Sequence, residues 1–336
     1  MLIVMKKDTE KKKIQAVIKA IRKKGYVARP IPGGDRVSIA ILYNKGFVDS
    51  GHFLGLDGVK EVIPVTKPYK LVSYELKNKK TIIKVGKAVF GNNSMPVIAG
   101  PCAVESEKQI MSIAQEVKKA GAKLLRGGAF KPRTSPYSFQ GLGKKGLKLL
   151  LKAKKETGLG IVTEVMDTKD FDLVEEYADI IQIGTRNMQN FSLLKRAGKA
   201  LKPIMLKRGM SATLSEWLMS AEYILKAGND NVILCERGVR TFVNHSRNTL
   251  DLSIVPAAKK ETHLPIIVDP SHAAGIRDQV LVLACACAAI NADGMMIEVH
   301  NKPEQAVSDG AQSLYPSQFS KLMGKINSIN SIVVKK

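Results

Sequence analysis

The stretch PIMLKRGMSATLSEWLMSAEYILKAGNDNVILCE, Pro203–Glu236, decides the fold. It opens with a short apolar run, Pro203–Lys207, continues as a helical segment over Thr213–Ala227, and closes with a second apolar run, Asn231–Glu236. A strand that is apolar on both faces must be covered on both, and two such strands joined through a helix pair in parallel. The same unit recurs on either side, in Pro96–Gly100, Ala122–Gly127, Gly160–Met166, Asp179–Gly184, Leu264–Asp269 and Gly294–Val299. Helical segments such as Ser106–Ala120, Gly141–Thr157 and Gly275–Ala289 separate them. Eight strand–helix units over roughly 240 residues predict a (β/α)8 TIM barrel. An open doubly wound sheet is the alternative built from the same elements.

Upstream the rhythm differs. Leu2–Met5 reads as a strand, and Ile14, Val17, Ile18 and Ile21 recur at the spacing of one buried helix face up to Gly25. Tyr26–Pro30 and Arg36–Leu42 are predicted strands around the turn Pro32-Gly33-Gly34-Asp35, followed by a short helix near Gly51–Asp57 and a strand over Lys60–Thr66. This is the split βαβ order of a small ferredoxin-like α+β domain. The expected division is a ferredoxin-like domain at 1–66, a linker with a hairpin at 67–94, and the barrel at 95–336.

The 336 residues are 45% hydrophobic and 5% aromatic, an ordinary globular balance. No apolar run approaches the roughly 18–20 residues of a membrane span, and Leu2–Met5 runs into Lys6-Lys7 without signal-peptide order, so a cytoplasmic protein off the membrane is expected. The four cysteines, Cys102, Cys235, Cys285 and Cys287, make neither a disulfide framework nor a CxxC knuckle. The net charge of +23 raises nucleic acid, an anionic surface or anionic substrates as partners, while scattered lysines account for much of it as an ordinary solvated surface. Nucleic acid is disfavoured by the scarcity of aromatics and by cations set at strand ends, not along one stripe.

Active sites of (β/α)8 barrels gather at the C-terminal strand ends. Those ends carry Cys102; Arg126; Glu164 and Asp167; Gln182 and Arg186; Lys207 and Arg208; Glu236 and Arg237; Asp269 and His272; Glu298 and His300. So many cations at one mouth predict a phosphate- or carboxylate-bearing ligand. The loop Arg126-Gly-Gly-Ala-Phe-Lys131-Pro-Arg133-Thr134-Ser135 adds further donors. Cys102, His272, Glu298 and the later Asp309 come from the first, seventh and eighth units, neighbours in a closed barrel. They are candidates for one ion of the Zn²⁺, Mn²⁺, Fe²⁺ or Co²⁺ type, or for separate structural roles.

Together, Gly100-Pro-Cys102-Ala-Val-Glu-Ser106, the Arg126–Ser135 loop, Gly184-Thr-Arg186-Asn-Met-Gln, Leu206-Lys207-Arg208-Gly209, Cys235-Glu-Arg237-Gly238 and Asp269-Pro-Ser-His272 resemble 3-deoxy-D-arabino-heptulosonate 7-phosphate (DAHP) synthase. The ferredoxin-like start is similar to the subgroup with an N-terminal regulatory module. The resemblance implies condensation of phosphoenolpyruvate with erythrose 4-phosphate, with release of phosphate, as the first step of the shikimate pathway. It implies one divalent metal ion on Cys102, His272, Glu298 and Asp309, and substrate binding by Arg126, Lys131, Arg133, Thr134, Ser135, Arg186, Lys207 and Arg237. Lys131, Glu164 and His272 form the expected catalytic set, tyrosine or phenylalanine the expected effector, and a homotetramer the expected assembly. The related octulosonate synthase differs in the sugar loop, where Lys131-Pro-Arg-Thr favours the four-carbon aldose.

Overall fold

The computed structural model describes every residue except 43, 45–47, 65–66, 75, 134 and 334–336. The expected strand end at Thr66 and the expected ligand Thr134 therefore lie outside the described residues. Contacts divide the chain into two compact units, Met1–Lys70 and Leu71–Lys336.

The first unit runs β1 (Leu2–Met5), α1 (Lys11–Lys23), β2 (Val27–Pro32), β3 (Val37–Leu42), α2 (Gly51–Leu54) and β4 (Val59–Ile63). Its four strands form an antiparallel sheet in the order β2-β3-β1-β4. One face of that sheet, with Ile3, Met5, Ile39 and Ile41, packs with Val17, Ile18 and Ile21 of α1 and with Phe53 into a closed core. The short helix ends at Leu54, earlier than its expected end at Asp57.

The second unit begins with the hairpin β5 (Ile83–Val85) and β6 (Ala88–Phe90). It continues as β7 (Val97–Gly100), α3 (Glu107–Lys119), β8 (Leu124–Arg126), α4 (Lys144–Thr157), β9 (Gly160–Val165), α5 (Phe171–Tyr177), β10 (Ile180–Ile183) and α6 (Phe191–Ala197). Then come β11 (Ile204–Lys207), α7 (Leu214–Lys226), β12 (Val232–Glu236), α8 (Ile254–Glu261), β13 (Ile266–Val268), α9 (Pro270–Ala274), α10 (Arg277–Ala289), β14 (Met295–Glu298) and α11 (Pro316–Val333). β7 to β14 pair in parallel and in sequence, and β14 closes onto β7 with Met295 opposite Val97 and Glu298 opposite Gly100. The sheet is thus a closed barrel, not an open doubly wound sheet.

Residues 71–81, expected within a linker, are stitched to the barrel. The Leu71 and Val72 amides donate to the Glu222 carboxylate at 2.9 and 3.0 Å, and Ser73 forms a β-bridge with Thr262. His263 joins both ends of the segment, its Nε2 2.7 Å from the Leu71 carbonyl and its Nδ1 2.7 Å from the Thr81 hydroxyl. Val72, Ser73 and Thr81 are buried while 76–80 are exposed, and the buried ends find their backbone partners on α7 and at the end of α8.

The lumen is layered by the two-residue period of the strands. Ile98, Leu124, Val162, Ile180, Met205, Ile233, Ile267 and Met296, one from each strand, form a single buried cluster with Ile83, Val85, Ala88 and Phe90 of the hairpin. The hairpin therefore plugs the N-terminal mouth. Two residues onward, the same inward positions hold Gly100, Arg126, Glu164, Gln182, Lys207, Cys235, Asp269 and Glu298. The lumen changes from apolar to charged within one strand step.

Phe90 is fully buried. Phe90→Ala should lower stability by about 3–5 kcal/mol through lost burial and the cavity left behind, read as a lower denaturant midpoint; an unchanged midpoint would contradict the plug.

Candidate active site

Asp269 organises the base of the site. It follows β13 and caps α9, with its Oδ1 accepting the His272 backbone N–H at 3.0 Å and Pro270 in the first turn. Its Oδ2 lies 2.7 Å from His272 Nδ1 and accepts from Lys207 Nζ at 2.6 Å. The cap that starts the helix thereby aims the imidazole. With Nδ1–H directed at Asp269, Nε2 bears the lone pair, 3.3 Å from Glu298 Oε1. Burial holds the His272 pKa below its ordinary value, so the ring stays neutral. Although burial opposes it, His272 and Lys207 keep Asp269 well below the usual carboxylate range.

Around this pair stand the other proposed ligands. Glu298 is fully buried; its Oε2 accepts from Gln312 Nε2 at 2.5 Å, while Oε1 has no hydrogen bond and faces Arg126 Nη2 at 3.1 Å. Cys102 Sγ lies 3.0 Å from Asp309 Oδ2, 3.2 Å from Ser308 Oγ and 2.9 Å from Lys131 Nζ. One ligand atom each from Cys102, His272, Glu298 and Asp309 falls within 4.8 Å of the others. Lone pairs crowded this closely repel unless a cation lies among them, and Glu298 Oε1, ion-paired to Arg126 but without a hydrogen bond, is free to accept one. A sulfur, a nitrogen and carboxylate oxygens suit Mn²⁺, Fe²⁺, Zn²⁺ or Co²⁺ better than Ca²⁺ or Mg²⁺. Burial and Glu298 push the Cys102 thiol up to about 12, so an ion binding there must displace its proton.

Above the quartet opens a cavity of about 410 Å³. Arg126, Lys131, Arg133, Ser135, Glu164, Arg186, Lys207 and Arg237 line it together with His272 and Asp309. The cations are tethered by few acids. Lys131 Nζ donates to the Cys102 carbonyl at 3.1 Å, Arg133 Nε to the Phe139 carbonyl at 3.1 Å, and Arg237 Nη2 to the His272 carbonyl at 3.2 Å. Arg126 Nη1 is buried without a partner, and among the described residues Arg186 makes no side-chain hydrogen bond or ion pair. Glu164 accepts from Gln182 at 2.9 Å and lies against the Gly184 backbone, where a Cβ would come within 2.1 Å of its Oε1. Any side chain at 184 would displace that carboxylate from its present position.

Of the strand-end tally, Cys102, Asp269 and Glu298 lie beneath the cavity, and four residues join neither its lining nor that group. Arg208 and Glu236 occupy the outward positions next to Lys207 and Arg237. They pair with each other at 3.0 Å, Arg208 reaching Asp251 at 3.0 Å and Glu236 taking the Gly238 amide at 2.6 Å. Asp167 caps its own turn through the Lys169 amide, and His300 is buried beside Glu105 at 3.4 Å. Conversely, Arg240, Arg247 and Asn248 line the cavity from the loop between β12 and α8, unmarked by any strand end. Helix α9, only five residues long, is too short to show an apolar period, and the Asp269-Pro270 pair is its capping signal.

A family model described as the DAHP synthetase I family matches residues 74–334, and one described as the DAHP synthase ferredoxin-like domain matches 1–67. The chain belongs to the DAHP synthetase I family. It is 47% identical over 329 residues to phospho-2-dehydro-3-deoxyheptonate aldolase of Thermotoga maritima, covering 98% of this chain and 97% of that protein. The crystal structure of the Thermotoga maritima DAHP synthase superposes with a TM-score of 0.96 at 46% identity, covering 99% of this chain and 98% of that one. A 2-dehydro-3-deoxyphosphooctonate aldolase of Syntrophotalea carbinolica is 31% identical over 270 residues, covering 75% of this chain. This chain is therefore an enzyme of the DAHP synthase family.

Among the described residues, Asp269 is the one carboxylate that serves both Lys207 and His272. Asp269→Asn leaves the Lys207 ammonium buried without its counter-charge and should cost about 3–5 kcal/mol. Chemical denaturation at neutral pH checks it; a loss below about 1 kcal/mol would mean that the pair behaves like an exposed one.

Proposed function

We propose that this enzyme condenses phosphoenolpyruvate with erythrose 4-phosphate and releases inorganic phosphate, as the first step of the shikimate route to aromatic amino acids. The observation that carries the reading is the set of partner-poor cations directly above a Cys–His–Glu–Asp quartet, in a chain 47% identical to a phospho-2-dehydro-3-deoxyheptonate aldolase. Both substrates are anions that repel each other in water, and a preorganised basic cavity removes that obstacle.

Cys102, His272, Glu298 and Asp309 hold one divalent ion, which when bound supplies a Lewis acid for the aldehyde oxygen. Arg126, Arg186, Lys207 and Arg237 take the phosphate and carboxylate of phosphoenolpyruvate. Arg133, Thr134 and Ser135 take the phosphate of the aldose, which places the aldehyde toward the quartet. C3 of the enol phosphate then forms a bond to the aldehyde carbon, and the aldehyde oxygen takes a proton from the Lys131 ammonium. Water adds at C2, giving its proton to the Glu164 carboxylate. The hemiketal phosphate collapses to the ketone by C–O cleavage, and its hydroxyl proton leaves with the phosphate. Glu164 and Lys131 exchange the remaining proton through solvent, and the balance is one water consumed for one phosphate released. Residues 1–66 act as the sensor for tyrosine or phenylalanine, and the enzyme works as a cytoplasmic homotetramer.

Phosphate release should require both phosphoenolpyruvate and erythrose 4-phosphate, vanish with EDTA and return with Mn²⁺. Arabinose 5-phosphate should not substitute. Release from arabinose 5-phosphate alone would transfer the chain to octulosonate chemistry, and release unaffected by complete metal removal would overturn the Lewis acid. Lys131→Ala should reduce kcat by about 10²–10⁴-fold as a lost general acid; an unchanged kcat would remove it from the mechanism.

A truncation that tests the sensor must keep Leu71 and Val72, because both bond to Glu222. A chain starting at Lys67 should retain turnover and lose inhibition by the aromatic amino acid. A solved truncated form of the Thermotoga maritima synthase covers 79% of this chain at a TM-score of 0.75, so a shortened relative folds. Inhibition that survives truncation would contradict the sensor.

A further inference from the structure

We infer that Arg247 is the positioning residue of the metal centre, choosing which oxygen of Glu298 and of Asp309 is presented to the ion. This rests on the reading that Cys102, His272, Glu298 and Asp309 hold a divalent ion.

Arg247 is anchored on the His272 side. Its backbone N–H donates to the Ala274 carbonyl at 3.0 Å, and the neighbouring Asn248 donates to Ala273 at 2.8 Å and, through its side chain, to the His272 carbonyl at 2.9 Å. Gly275, at φ +72°, ends α9 against it; a Cβ there would lie 2.5 Å from the Arg247 Cβ. The loop thus places the arginine relative to one ligand before its side chain meets the others.

The guanidinium then reaches across. Nη1 donates to Asp309 Oδ1 at 2.9 Å and to Gln312 Oε1 at 3.2 Å. A guanidinium has donors only, so Gln312 must turn its carbonyl to Arg247 and its NH₂ group away. That NH₂ group donates to Glu298 Oε2 at 2.5 Å, which leaves Oε1, the atom with no hydrogen bond, 3.3 Å from His272 Nε2. The same logic divides Asp309. Its Oδ1 goes to Arg247, and Oδ2 stays 3.0 Å from Cys102 Sγ. Asp309 sits at φ +54°, a conformation that a non-glycine residue adopts at some cost, so a fixed side-chain partner matters there. One side chain therefore touches one of the four ligands, Asp309, and orients a second, Glu298, through Gln312. None of the hydrogen bonds it makes requires a substrate.

Arg247 also lines the cavity with its side chain 45% exposed, so the competing role is a cation for substrate alone. Metal binding separates the two. The full-length, metal-free protein is titrated with Co²⁺, followed by calorimetry and by the thiolate-to-cobalt absorption band. Arg247→Met should weaken Co²⁺ binding by about 10–100-fold, the usual effect of losing a group that orients metal ligands, and should shift the cobalt spectrum. Arg247→Lys should recover part of the loss. Gln312→Leu should weaken binding in the same direction, and adding it to Arg247→Met should cost little more, since both act on Glu298. Unchanged affinity and spectrum in Arg247→Met overturn the inference and leave the metal reading standing, including where a substrate KM rises. Failure of the unsubstituted protein to bind Co²⁺ with a thiolate band overturns both.

Discussion

In a closed parallel barrel every strand residue faces either the lumen or the helices, and this parity governs the molecule. One lumen layer of eight apolar side chains is sealed by the hairpin Ile83–Phe90. The next layer up contains Arg126, Glu164, Lys207, Asp269 and Glu298. Burying these charges costs free energy that only pairing returns. The apolar layer and its plug hold the strands in register so that the pairs, Lys207 with Asp269 and Arg126 with Glu298, can meet at hydrogen-bonding distance. A slip of one residue in β8, β9, β11, β13 or β14 would send its charge outward among the helices.

The outward partners of these residues are equally specified. Arg208 and Glu236 point away from the cavity, and their pair draws in Asp251, the Ala212 carbonyl and the Gly238 amide. Those contacts shape the loops that follow β11 and β12, and the same loops deliver Met210, Arg237 and Arg240 to the cavity wall. Inward side chains display charge, and their outward neighbours brace the backbone that carries them. The two sets are interleaved in sequence and separate in space.

That interleaving explains what could be read beforehand. Eight apolar runs separated by helices are legible because both faces of each strand are covered, and the observed strands lie within the expected spans. Such runs lack the alternation that tells inward from outward. Lys207 and Arg208 therefore looked equivalent, as did Glu236 and Arg237, although one of each pair serves the loops alone. The quartet was legible because strands one, seven and eight must be neighbours once the barrel closes. Arg240, Arg247 and Asn248 were not, because a long irregular loop carries no period. The segment 71–81 lacked a strand or helix signature, and its hydrogen bonds to Glu222 and His263 depend on residues some 150–190 positions away.

Both signs of charge lie deep: Asp269, Glu298 and Glu236 are fully buried, and Arg126, Lys131, Lys207 and Arg237 are buried with them, whereas Arg247 and Arg133 reach into the cavity from loops and are only partly covered. The buried carboxylates are held by donors from these cations, Lys207 on Asp269 and Arg126 on Glu298. The quartet beneath the cavity supplies acceptors, and the cavity lining is mostly donors. A divalent cation belongs among the acceptors and an anionic ligand among the donors. An anion above and a cation below attract each other, so binding at either level lowers the cost of filling the other. The ionic order of the ligands is built into the barrel by which strand residues end the apolar layer.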